Sequence, residues 1–71
     1  MTWNYRRLMT ESGYAIHEVY YDEQGDIEMW SDNPISPHGV DEEELKQDII
    51  KMRTALTKPV LVEDGDTLKE I

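Results

Sequence analysis

The stretch Tyr14-Ala-Ile-His-Glu-Val-Tyr-Tyr-Asp22 decides how this chain is built. Alternate residues of a strand point to opposite faces, so Tyr14, Ile16, Glu18 and Tyr20 share one side and Ala15, His17, Val19 and Tyr21 the other. Both sides carry large or apolar groups, which marks a central strand with half-cover on each face. Upstream, Trp3 to Thr10 alternates in the same way: Trp3, Tyr5, Arg7 and Met9 face one side and Asn4, Arg6 and Leu8 the other. Glu11-Ser12-Gly13 joins the two as a short hairpin turn. Downstream, Glu23-Gln24-Gly25-Asp26 turns the chain into a third strand, Ile27 to Ser31. Three strands joined by short turns predict an antiparallel meander.

Beyond it, Asp32 to Gly39 (DNPISPHG) is irregular, because Pro34 and Pro37 lack amide donors and hold the backbone extended. A helix then opens sharply. Asp41 is a good N-cap, with Glu44 three residues on to complete a capping box, and Val40 and Leu45 have the spacing of a hydrophobic staple. Glu42, Glu43 and Glu44 suit the positive end of the helix dipole. Leu45, Ile49, Met52 and Leu56 form one apolar stripe, and Pro59 sets the end, so the helix is expected over about Glu42–Thr57. Pro59-Val60-Leu61-Val62 reads as a short fourth strand. The predicted fold is one α+β domain, β-β-β-α-β, over residues 1–62, followed by an acidic, fraying tail at 63–71.

Composition narrows the function classes. The 71 residues hold sixteen Asp and Glu against seven Lys and Arg, a net charge of −9, and no cysteine, so disulfides and thiolate metal sites are excluded. Leu, Ile, Val and Phe number fifteen, just above the ~20% below which disorder prevails, so the six Trp and Tyr must supply much of the burial. So small a chain needs regular packing or a partner subunit. No apolar run reaches the ~18 residues of a membrane span, and the N-terminus lacks a signal-type apolar stretch, so a cytoplasmic protein is expected. The charge opposes contact with phosphate backbones or anionic lipid and favours a basic partner. Arg6 and Arg7 beside Trp3 and Tyr5 have the makings of a nucleic-acid stacking clamp, but the charge makes pairing with strand carboxylates the better reading.

Candidate chemistry is sparse. His17 and His38 have no metal-ligand spacing, Ser12, Ser31 and Ser36 sit in no nucleophile motif, and the four glycines are isolated, so no phosphate-binding loop can be read. Glu18 and Glu28 on neighbouring strands are a conceivable acid–base pair, but catalysis needs a cleft that shifts pKa values. No catalytic residue, metal or cofactor is therefore assigned. The aromatics are more informative. One helix can shelter one sheet face, so Trp3, Tyr5, Tyr14, Tyr20, Tyr21 and Trp30, which alternation sends to both faces, supply candidates for partner contact, with Glu42 and Glu43 at the acidic helix start. The bare face is expected to be covered by a second copy, as a homodimer, or by another protein.

The segments IHEVYYDEQGDIEMW, NPISPHG and DEEELKQDIIKMRTALTKPVL together resemble a group of small bacterial proteins with this strand–turn–strand–proline-loop–helix–KPVL layout. More distantly the chain is similar to the N-terminal domain of HicB-like antitoxins, a partial RNase H-like β-β-β-α-β fold, with Gly39, Asp41, Glu43, Glu44 and Leu45 in that family's glycine-led, acidic helix start. The chain lacks the Leu-Pro-Gly-Cys-type segment and the DNA-binding domain usual there, and the RNase H carboxylates cannot be placed on it. What the resemblance implies is the protein-binding part alone: a non-catalytic, acidic, antitoxin-like module for a basic protein, without direct nucleic-acid or membrane binding. The alternatives are a phage-type inhibitor, an anti-CRISPR-like acidic decoy for a nucleic-acid-handling complex, and a small enzyme using strand His and Glu residues.

Overall fold

A computed structural model describes all 71 residues as an α+β fold: one helix and one five-stranded mixed sheet. The strands are β1 (Thr2–Thr10), β2 (Gly13–Tyr21), β3 (Ile27–Trp30), β4 (Leu61–Asp64) and β5 (Thr67–Glu70), in the spatial order β3-β2-β1-β4-β5. The expected antiparallel pairings of β1 with β2 and of β2 with β3 are present. Between β3 and β4 the chain runs through helix α1 (Glu42–Arg53), tightened into a 3-10 turn over Thr54–Thr57. That crossover brings β4 back parallel to β1, with Leu8 opposite Leu61. Asp41 caps α1 as the sequence predicts, accepting a 2.8 Å bond at its side chain from the Glu44 amide.

Residues 63–70, expected as a loose tail, continue the sheet. Asp64-Gly65-Asp66-Thr67 forms a tight turn, with Gly65 at φ +67°, and β5 pairs antiparallel with β4. Leu68 is thereby carried into the core.

The face opposite the helix differs from expectation in the same way. Leu8, Val19, Leu61 and Leu68 are buried there, with Tyr21, Ile27 and Trp30 packed against them. β3 and β5 stand at opposite ends of the strand order, yet they touch. The sheet's twist is thus strong enough to curl its two edges toward each other and close this face from within the chain. The expectation that another molecule covers it rests on a four-stranded sheet with one helix. Arg6 and His17 are also buried. The Arg6 guanidinium donates to Tyr21 Oη at 3.0 Å and to the Pro59 carbonyl at 2.9 Å, tying β1, β2 and the entry to β4 together.

The helix covers its own face only in part. Tyr5, Met52 and Ala55 form a small second cluster, with Ile16 and Ile35 against it. Ile35 in the proline loop is held by its amide, which donates to the Ile16 carbonyl at 2.9 Å. Of the expected stripe only Met52 is buried; Leu45, Ile49 and Leu56 are exposed. The helix rests on the sheet along the line of Asp48, Met52 and Ala55, so that flank of the stripe turns outward.

If residues 67–70 complete the core, Leu68→Ala lowers unfolding free energy by about 2–3 kcal/mol, as a buried leucine does; urea denaturation followed by tryptophan fluorescence measures it. A change near zero identifies a tail that does not pack.

Candidate functional site

An open cleft of about 460 Å³ lies between α1, the helix-facing side of β1 and β2, and the proline loop. Tyr5, Glu18, Ile35, His38, Gln47 and Asp48 are among the residues that line it. Alternation along β1 presents Tyr5 to this side, and the strand register sets Glu18 opposite it. Asp48 reaches the same point from α1, one turn before Met52, on the edge of the helix that meets the sheet.

These groups form one hydrogen-bonded clamp. Tyr5 Oη donates to Asp48 Oδ1 at 2.5 Å, and Asp48 Oδ2 accepts from the His38 backbone amide at 2.9 Å. A single carboxylate thus joins strand, helix and loop. Beside it, Tyr20 Oη donates to Glu18 Oε1 at 3.0 Å. Trp3 stands edge-on to Tyr5, with ring centroids 5.2 Å apart, and the Lys51 ammonium lies 6.0 Å from the centre of the Trp3 ring.

Protonation follows from this geometry. Burial, then the bond to Asp48 and the charge of that carboxylate, push the Tyr5 phenol well above its ordinary value. The Tyr5 hydroxyl, then the His38 amide, hold Asp48 below the usual carboxylate range, against a smaller opposing effect of burial. The bond to Glu18 raises Tyr20. The phenols move up and Asp48 moves down, away from neutrality in each case. A general acid or base working near pH 7 needs the opposite displacement. The cleft chemistry suits a fixed donor–acceptor clamp.

The residues singled out in the sequence do not converge. Trp3, Tyr5 and Tyr20 meet on the helix-facing side, Trp3 exposed and Tyr20 half-buried. Tyr5, only 5% exposed, belongs to the core and the clamp, so it offers no surface to a partner. Tyr21 and Trp30 pack half-buried on the opposite face, where Tyr21 Oη donates to Asn4 Oδ1 at 2.8 Å. Tyr14 is exposed toward the far end of β2, and Glu42 and Glu43 are exposed at the start of α1. His17, Glu18 and Glu28 are likewise apart. His17 is buried, its Nδ1 2.9 Å from the Ser31 carbonyl, so that nitrogen carries the proton and donates. Glu18 lines the cleft, and Glu28 lines a hollow with Asp22 and Glu23. No three of the histidines and carboxylates are grouped to hold a metal ion, and no helix is long and apolar enough to cross a membrane.

Asp48 is the member of the clamp that the sequence reading missed. Its signal was its place four residues before Met52, on the same helix edge, where a polar side chain needs a partner. Comparison with protein-family models, curated proteins and solved structures yields no match.

The clamp sets a pH dependence. Asp48 is lowered in the folded chain, so its contribution is complete above the unfolded carboxylate value of about 4 and is lost as pH falls through the folded value. Tyr5→Phe and Asp48→Asn should each lower stability by about 1–2 kcal/mol at pH 7. The deficit of each variant relative to the parent chain should shrink as unfolding is measured from pH 5 down into the range where Asp48 is protonated. A deficit of constant size would separate Asp48 from the acid transition.

Proposed function

We propose that this protein is a non-catalytic, acidic protein-binding module that engages a basic protein, as the likeness to the N-terminal domain of HicB-like antitoxins implies. The observation that carries this is the segregation of charge. Residues 42–58 hold four acids and four bases, which leaves twelve acids against three bases in the rest of the chain. All three of those bases are engaged internally. Arg6 bonds Tyr21 and the Pro59 carbonyl and lies 3.9 Å from Glu70; Arg7 donates to the Lys58 carbonyl at 2.7 Å; Lys69 pairs with Asp64 at 3.3 Å.

The uncompensated acids gather at the turn between β2 and β3, where Asp22, Glu23, Asp26 and Glu28 fall within seven residues without one base. The curl of the sheet brings this turn to β5: Asp26, Ile27, Leu68 and Glu70 line one shallow hollow. Negative charge of this density attracts a basic surface and speeds its encounter. Exposed Trp3 and Tyr14 remain available for apolar contact, while Tyr5 does not. The outward displacement of the Tyr5 and Asp48 proton affinities further favours binding over catalysis.

Affinity purification on the immobilised full chain from its native host tests this. A basic protein should be retained at about 50 mM salt and released at about 500 mM, where the screening length falls to a few ångströms. The triple variant Glu23→Gln, Asp26→Asn, Glu28→Gln should retain markedly less. Asp22 is left in place because its side chain accepts the Gln24 and Asp26 amides and holds the turn. Failure to retain any basic protein at either salt, or equal retention by the variant, contradicts the proposal.

A further inference from the structure

We infer that α1 is the surface through which two copies of this chain associate, antiparallel about a two-fold axis. Val40, Leu45, Ile49, Ile50 and Leu56 are 81%, 37%, 48%, 46% and 61% exposed, half of the ten large apolar side chains that the fold leaves open. They lie within one span of seventeen residues, on and beside the helix. Only nine of the 71 residues are buried, so the single chain has little core to spare and gains from covering this ridge.

Charge decides which occupant fits. A copy approaching any other side meets the net charge of −9 with its own, whereas Glu42–Arg53 is close to balance, with four acids and three bases. Its balance is also polar: Glu42, Glu43 and Glu44 stand in the first turn, and Lys51 and Arg53 in the last. A uniformly basic partner is repelled by the second half and a uniformly acidic one by the first. An antiparallel copy meets opposite charge at both ends, which is the self-complementarity a two-fold interface requires.

The register follows from spacing. Glu42, Lys46, Ile49 and Arg53 recur at i, i+4, i+7 and i+11, the period of one helix ridge. All four are exposed, and none of the three charged members is ion-paired within the chain. Setting Glu42 of one copy opposite Arg53 of the other makes that pair twice by symmetry. The same register sets Lys46 over Ile49, where its methylene stem can lie on the isoleucine, with Leu45 and Ile50 on the two flanks of the seam. Contact through one short helix falls near the low end of specific interfaces, ~1,200 Å² in total, the size class of weak, transient association. This inference is independent of the basic-partner proposal, which uses the β2–β3 turn, and either can fail without the other.

Sedimentation of the full chain from about 5 to about 500 µM spans the affinity expected of such a contact. The parent chain should pass from monomer to dimer within that range. Ile49→Lys, at an exposed position and with folding checked by circular dichroism, should raise the dimer Kd by about tenfold or more. Glu42→Arg and Arg53→Glu should each weaken the dimer, and the double variant, which restores opposite charge across the axis, should recover most of the loss. A monomer at every concentration overturns the inference, including the case where another protein covers the ridge. A dimer unaffected by Ile49→Lys, or charge reversals without mutual rescue, overturns it too.

Discussion

β1 must bury both of its faces, and the chain has one helix with which to do it. Tyr5 looks to one side and Leu8 to the other, and both end up almost wholly out of water. The helix, with Met52 and Ala55, answers for Tyr5. Leu8 is covered by the sheet itself, whose edges curl until β3 and β5 meet. Twist is a property of any sheet of L-residues; here it takes the place of a second layer. The parallel return of β4 and the hairpin to β5 both serve this closure, since Leu61 and Leu68 fill the space under the curl.

The same economy shapes the helix side. Contact between α1 and the sheet is narrow, so the polar clamp of Tyr5, Asp48 and the His38 amide supplements apolar packing. One aspartate satisfies a phenol from the sheet and an amide from the loop, and that fixes the loop against the helix. Protonation of such a group is costly in the folded state, as is ionisation of the phenol that donates to it. The Tyr5–Asp48 pair is therefore held as phenol and carboxylate by its own geometry.

Much of this was legible. Period-two alternation located the first three strands, and the Asp41–Glu44 capping box placed the start of α1 to the residue. Two features were hidden for definite reasons. The segment Glu63-Asp64-Gly65-Asp66-Thr67 carries a Gly-Asp turn between Leu61-Val62 and Leu68, a hairpin signal that its acidic character masked. Curl is not local: no window of sequence states that β3 and β5 will touch. The stripe Leu45, Ile49, Met52, Leu56 had the right period for a buried face, but periodicity does not tell which flank of a stripe meets the sheet. Likewise Tyr5 was read with the other aromatics, because only its contact with Asp48 and Ala55 separates it from them. Charge segregation between the helix and the rest needed no structure to count, but it acquired meaning only when Arg6, Arg7 and Lys69 proved to be engaged.

The parallel pairing of Leu8 with Leu61 has a consequence for how the chain is made. Residues 53 positions apart must meet before the core of Leu8, Val19, Leu61 and Leu68 exists, and contacts of such span form late because the intervening loop must first be ordered. During synthesis the β1–β2–β3 hairpins can zip as soon as they emerge, yet Leu8 and Val19 stay uncovered until residues 61–70 have been polymerised. The nascent protein therefore passes through a stage with a finished-looking meander and a naked hydrophobic underside. That interval is when it is most exposed to chaperones, proteases and its own neighbours on the polysome.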